Sequence, residues 1–167
     1  MRYPTLGIRQ LKLAGVVAGL MAVTVGMTSC NSEKHDDDHR PEPTQAAKDT
    51  DTARQASEFG GIVIPDNASL LGARSEHGRD TLYRLAISTD PQGLTLLLAT
   101  SKFSVPLTKV FRVAENTIAG PPLETSPSIL QAEDVYHRPD GKSVNRIIIV
   151  DERDPSTRFV HIQLFDT

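Results

Sequence analysis

Between Asn31 and Ser57 the chain has no Leu, Ile, Val, Phe, Met, Tyr or Trp. Its only apolar side chains there are alanines. Such a stretch buries too little surface to offset the entropy of ordering it, so it is predicted to be disordered. As a flexible chain it would have an r.m.s. span of about 30 Å, stiffened locally by Pro41 and Pro43. A core can therefore form only after it. Residues 58–167 hold nearly all the large apolar side chains of this later part. That length suits one modest hydrophobic core.

The part before the gap has a different character. Residues 1–29 carry Arg2, Arg9 and Lys12 and no acid. Leu13 to Met27 then runs fifteen residues without a charge. As a helix this run would span about 22 Å, short of a hydrocarbon core about 30 Å thick. A basic start, a short apolar run and small residues after it predict a secretory signal peptide over 1–29. The paired arginines of the twin-arginine route are missing.

Met27-Thr28-Ser29-Cys30 closes that segment and resembles the lipobox of bacterial lipoproteins. The resemblance implies a diacylglyceryl thioether on Cys30, cleavage before it and acylation of the new amino group. A thiolate suits that step because it is a much stronger nucleophile than a hydroxyl near neutral pH. Two or more acyl chains hold a protein at a membrane where one binds only reversibly. The expected domains are then a lipoprotein signal peptide at 1–29, a lipidated Cys30 with a disordered tether through residue 57, and a single domain at 58–167. In Gram-negative lipoproteins an Asp after the Cys favours inner-membrane retention. Asn31 stands here instead, which points toward the periplasmic face of the outer membrane if the envelope is Gram-negative.

Cys30 is the only cysteine, which rules out an internal disulfide framework. A net charge of −3 lacks the basic footprint of a nucleic-acid binder. Inside the tether, His35, Asp36, Asp37, Asp38 and His39 form a candidate metal-collecting run of two imidazoles and three carboxylates. A solvated charge run is the plainer reading. No cofactor is expected.

Within 58–167 the pattern predicts an α+β fold: a small antiparallel sheet with a C-terminal three-stranded meander and one packed helix. Gly61–Pro65 reads as a short strand stopped by proline. A turn or one turn of helix follows at Asp66–Leu71. Residues 73–77 and 82–88 read as strands around a turn at Gly78-Arg79-Asp80. Tyr83, Leu85 and Ile87 share one face. Thr89 or Asp90 caps a helix beginning at Pro91, with Leu94, Leu97 and Leu98 on one stripe. Residues 114–128, with Pro121, Pro122 and Pro127, form a long loop of the kind that often binds. The meander follows: 129–137, a Pro139-Asp140-Gly141 turn, a central strand at Ile147–Val150 and a last strand at Phe159–Phe165.

No Gly-x-Ser-x-Gly, His-Glu-x-x-His, phosphate loop or dinucleotide fingerprint occurs. Asp134, His137 and Asp140 are close in sequence, but a strand would send Asp134 and His137 to opposite faces. His77, Arg79 and Asp80 read as a polar hairpin end. Asp151, Glu152 and Asp154 make an acidic turn without the twelve-residue calcium loop. His161 reads as a half-buried, hydrogen-bonded histidine. Arg138, Lys142, Arg146, Arg153 and Arg158 alternate with acids and read as a solvated face.

The domain is also similar to small bacterial lipoproteins, with Ile64-Pro65, Ala68 and a C-terminal hairpin in common. That resemblance brings no activity with it. The expectation is a lipid-anchored envelope protein with a non-enzymatic binding domain, partnered by the membrane through Cys30 and by another envelope component. The alternative is a toxin-neutralising immunity lipoprotein. An envelope enzyme ranks behind both.

Overall fold

The computed structural model describes residues 43–115 and 117–166. The expected signal peptide, Cys30, the His35–His39 run and the tether as far as residue 42 lie outside the described residues. The fold is α+β, with one antiparallel six-stranded sheet and two helices.

The first helix, α1 (Gln45–Gly60), occupies ground expected to be tether. Thr44 caps it, its Oγ1 accepting from the Ala47 N–H at 3.3 Å. Arg54 bridges Asp51 and Glu58 at 2.7 and 2.9 Å along the exposed side. The buried side consists of Ala53, Ala56 and Gly60. Lack of large side chains did not prevent burial, because small residues let the helix lie close to the sheet. A Cβ on Gly60 would stand 2.7 Å from the Leu164 side chain. The helix ends at Gly61, in the left-handed region at φ 63°. The Ile62 N–H returns to the Ser57 carbonyl at 3.1 Å.

That ending also corrects the strand expected at Gly61–Pro65. The chain is irregular from 62 to 65, and its groups turn inward: Ile62 is buried and the Val63 N–H donates to Ser101 Oγ at 2.9 Å. Strands β1 (Ser69–His77) and β2 (Thr81–Thr89) form a hairpin. Helix α2 (Pro91–Thr100) follows as its signals predict. Asp90 accepts from the Gly93 N–H at 2.7 Å, and Leu94 and Leu97 are buried.

Three-residue β3 (Thr108–Val110) precedes the long loop, which carries a 3-10 turn at Leu123–Thr125. Then β4 (Ile129–His137), β5 (Ser143–Asp151) and β6 (Arg158–Phe165) run as the expected meander. Gly141, at φ 83°, makes the first of its turns. The sheet order is β1-β2-β6-β5-β4-β3. Both helices cover one face, over Leu85, Ile87, Ile148, Val150, Val160, Ile162 and Leu164. A smaller cluster of Leu123, Ile129 and Ile149 forms on the opposite side, under the long loop. No helix among the described residues is long and apolar enough to cross a membrane.

Candidate functional site

On the helix face, Leu130, Ala132 and Tyr136 alternate inward on β4, as do Val144, Ile148 and Val150 on β5. The inward positions left over are Asp134 and Arg146, which the register sets opposite each other. Both side chains are 2% exposed. Arg146 Nε and Nη2 donate to the two Asp134 oxygens, each at 2.7 Å. Its other donors reach the carbonyls of Gly60 (3.2 Å), Ser101 (2.9 Å) and Lys102 (3.3 Å). All five guanidinium donors are thereby used. Gly60 is the last residue of α1 and Ser101 the C-cap of α2, so one cation faces the negative ends of both helices. The Phe103 and Tyr136 rings lie 4.2 and 5.1 Å from the guanidinium carbon.

Burial works to raise the Asp134 pKa. The hydrogen bonds from Arg146 and Ser104, with the Arg146 charge, outweigh it and hold the carboxyl below its ordinary value. With every donor satisfied, this pair ties the ends of both helices to the sheet.

The opposite face is held by polar ties. Asp151 is fully buried and accepts from the Arg153 N–H (2.9 Å), Arg153 Nε (2.6 Å) and the Ser126 hydroxyl. Arg153 continues to Thr125 Oγ1 at 3.1 Å and the Pro122 carbonyl at 2.7 Å. Next to it, the Glu152 N–H donates to the Ser128 carbonyl at 3.0 Å and its carboxylate accepts from Ser128 Oγ at 3.2 Å. The β5–β6 turn thus clamps the 3-10 turn and the end of the long loop.

Beside this clamp is a pocket of about 370 Å³, lined by Phe111, Arg112, Val113, Leu123, Glu124, Ser126 and Ile129. Its base is fixed by the buried Leu123 and Ile129. Phe111 on its wall is 97% exposed. A rigid apolar floor with an aromatic, an arginine and a glutamate around it suits contact with another macromolecule.

His161 lies on the same face, opposite Ala86 and Ile149 on the neighbouring strands. It is 6% exposed, and Nε2 has no hydrogen-bond partner among the described residues. This corrects the half-buried, hydrogen-bonded reading. Flanking strands supply apolar neighbours there, so no acceptor or donor comes within reach. Burial lowers the His161 pKa, and the Asp151 charge opposes that shift without cancelling it.

The other candidates stay apart. Asp134 goes to the helix face, while His137 Nδ1 meets Ser143 Oγ at 3.0 Å and Asp140 pairs with Arg138 at 3.0 Å. Arg79 and Asp80 approach to 3.7 Å, while His77 stands edge-on to the Tyr83 ring. Asp151, Glu152 and Asp154 each serve a separate function: Asp151 binds Arg153, Glu152 pairs with Arg158, and Asp154 accepts from the Ser156 and Thr157 N–H groups. Among the described residues no group of three or more His, Cys, Asp or Glu could hold a metal ion. The expectation of a solvated basic face is corrected for Arg146, Arg153 and Arg158, whose side chains are buried or mostly buried. Arg146 and Arg153 are drawn in by carbonyls of distant segments, and Arg158 by Glu152 and carbonyls of its own turn. No family, no curated protein and no solved structure matches the chain.

Proposed function

We propose that this chain is a lipid-anchored envelope protein whose α+β domain binds a protein partner without catalysing a reaction. The anchor is the lipid on Cys30, and the location is the periplasmic face of the outer membrane where the envelope is Gram-negative. The observation that carries the binding role is Phe111, a fully exposed aromatic on the wall of a pocket whose floor is tied to the sheet. Arg112 and Glu124 beside it supply the polar rim that such contacts use. Aromatic and arginine side chains carry a large share of binding energy at protein interfaces.

A photo-crosslinking amino acid at Arg112 tests the proposal in intact cells. A discrete crosslinked product is expected, and Phe111→Ser should reduce it at least several-fold while the protein level stays constant. A product that Phe111→Ser leaves unchanged, or none above the mock control, would overturn the binding site. The anchor is tested separately, by fractionating Cys30→Ser. That variant should leave the membrane fraction, and equal retention would refute the anchor alone.

A further inference from the structure

The two edges of the sheet differ. At one edge, β3 has three residues and pairs only with Ile129–Gln131 of β4. At the other, β1 has nine residues and pairs on one side only, with β2. Its last four residues, Arg74 to His77, are all exposed. A long open edge of this kind is a template for another strand.

The charges on β1 specify which strand fits. Arg74 and Glu76 flank Ser75 and point to the same face, since side chains alternate along a strand. Across the hairpin, Arg74 stands directly opposite Arg84. Glu76 forms its ion pair with Arg84. Arg84 thus takes that carboxylate, and Arg74 has no ion pair among the described residues. Like charges directly opposite on a sheet are unfavourable.

We propose that β1 pairs antiparallel with β1 of a second copy of this chain, about a two-fold axis through Ser75. In that register Arg74 faces Glu76 of the second copy, and Glu76 faces its Arg74. Each Glu76 then stands between Arg84 of its own chain and Arg74 of the other copy, so Arg74 gains an ion pair. Ser75 meets Ser75, small enough for close approach, and Ala73 meets His77. The ladder stops where β1 loses its regular register between Leu70 and Gly72. Edges that stay single are blunted by charge, proline or very short strands. Here the two charges have opposite sign and are symmetric about one residue, so the edge complements itself. Five paired residues make a small contact of the weak class. The two six-stranded sheets become one continuous sheet, with both Phe111 pockets outside the contact.

The test uses the full-length protein in detergent. In Ser75→Cys the facing Cα atoms would lie about 4.5–5.5 Å apart, within the range of about 4.4–6.8 Å that a disulfide spans. Copper phenanthroline should give a reducible dimer, far above that of the wild type or of Glu124→Cys. Adding Arg74→Glu should cut that crosslink about tenfold, because attraction becomes repulsion in two symmetric pairs. The double exchange Arg74→Glu with Glu76→Arg should restore it, since the new Glu also faces Arg84. Circular dichroism confirms that each variant is folded. A Ser75→Cys yield no greater than that of Glu124→Cys would overturn the proposal. So would failure of the folded double exchange to recover, or loss of the crosslink with Val135→Lys on β4, far across the sheet from β1.

Discussion

The two faces of one sheet are covered in different ways. The helix face is closed by two regular elements whose stripes of small and apolar residues fit the strands. Its buried ion pair, Arg146 with Asp134, has every guanidinium donor matched, although the buried Thr89 hydroxyl beside α2 has no partner among the described residues. The loop face is closed by irregular chain, which brings few apolar side chains and many backbone groups. It is held by a carboxylate, Asp151, and an arginine, Arg153. It also retains a pocket and an imidazole nitrogen without a partner. Helices fill a face, whereas a loop is pinned to it at points and leaves gaps between them. In this protein the pocket beside Phe111 is one such gap.

The largest effect expected from that contrast comes from Arg146→Met. It leaves the buried Asp134 carboxylate without a counter-charge, held only by Ser104, and three carbonyls unmatched. Losing one partner of a buried pair costs about 3–5 kcal/mol. Urea unfolding should show that loss, and the double change with Asp134→Leu should recover much of it. Recovery would separate the cost of an orphaned charge from the worth of the pair.

Next come Ile148 and Ile149, neighbours that are both fully buried but face opposite sides. Ile148→Ala should cost about 2–5 kcal/mol. Ile149→Ala should cost less, because the loop can settle into the space. Equal costs would break the contrast between the faces.

A smaller loss, about 1–3 kcal/mol, is expected from Arg153→Ala, which removes the ties to Asp151, Thr125 and Pro122. Hydrogen exchange should quicken between Leu123 and Ser128 while α2 keeps its protection. Exchange quickening equally in α2 would mean that the loop is not a separate unit.

The smallest effect concerns pH. The folded His161 resists protonation, so the unfolded chain takes up that proton first. Stability is therefore full above about pH 6.5, the ordinary histidine value, and declines as the pH falls below it. His161→Phe should flatten that decline. For Asp134, held below its ordinary value of 3.8, stability is full above that value and is lost only below it. The loop face should weaken in the milder acid and the helix face only in the stronger. A single loss at one common pH would contradict that order.

Local signals made parts of this architecture readable in advance. Asp90-Pro91 with Leu94 and Leu97 marks α2, because a cap and a stripe are properties of adjacent residues. Pro139-Asp140-Gly141 and Ile147–Val150 mark the meander for the same reason. Helix α1 was hidden because Ala53, Ala56 and Gly60 bury a face without looking apolar, and its close approach depends on Leu164, far along the chain. Arg146 was hidden among other basic residues. Its signal was positional: it and Asp134 occupy inward places in two apolar alternations that the short turn makes neighbours. The clamp at Asp151 could not be read from a loop sequence, since its partners lie 25 to 31 residues away.

Arg146 also bears on how the domain comes apart. Its acceptors belong to the end of α1, the end of α2 and strand β4, at sequence separations from 12 to 86 residues. Releasing any one of these leaves a charge in the interior with part of its shell missing, so a half-open state gains little over complete opening. The two helices, which are remote in sequence, are in this way bound to a common fate. Their amides near Gly60 and Ser101 should exchange with solvent through one shared opening event.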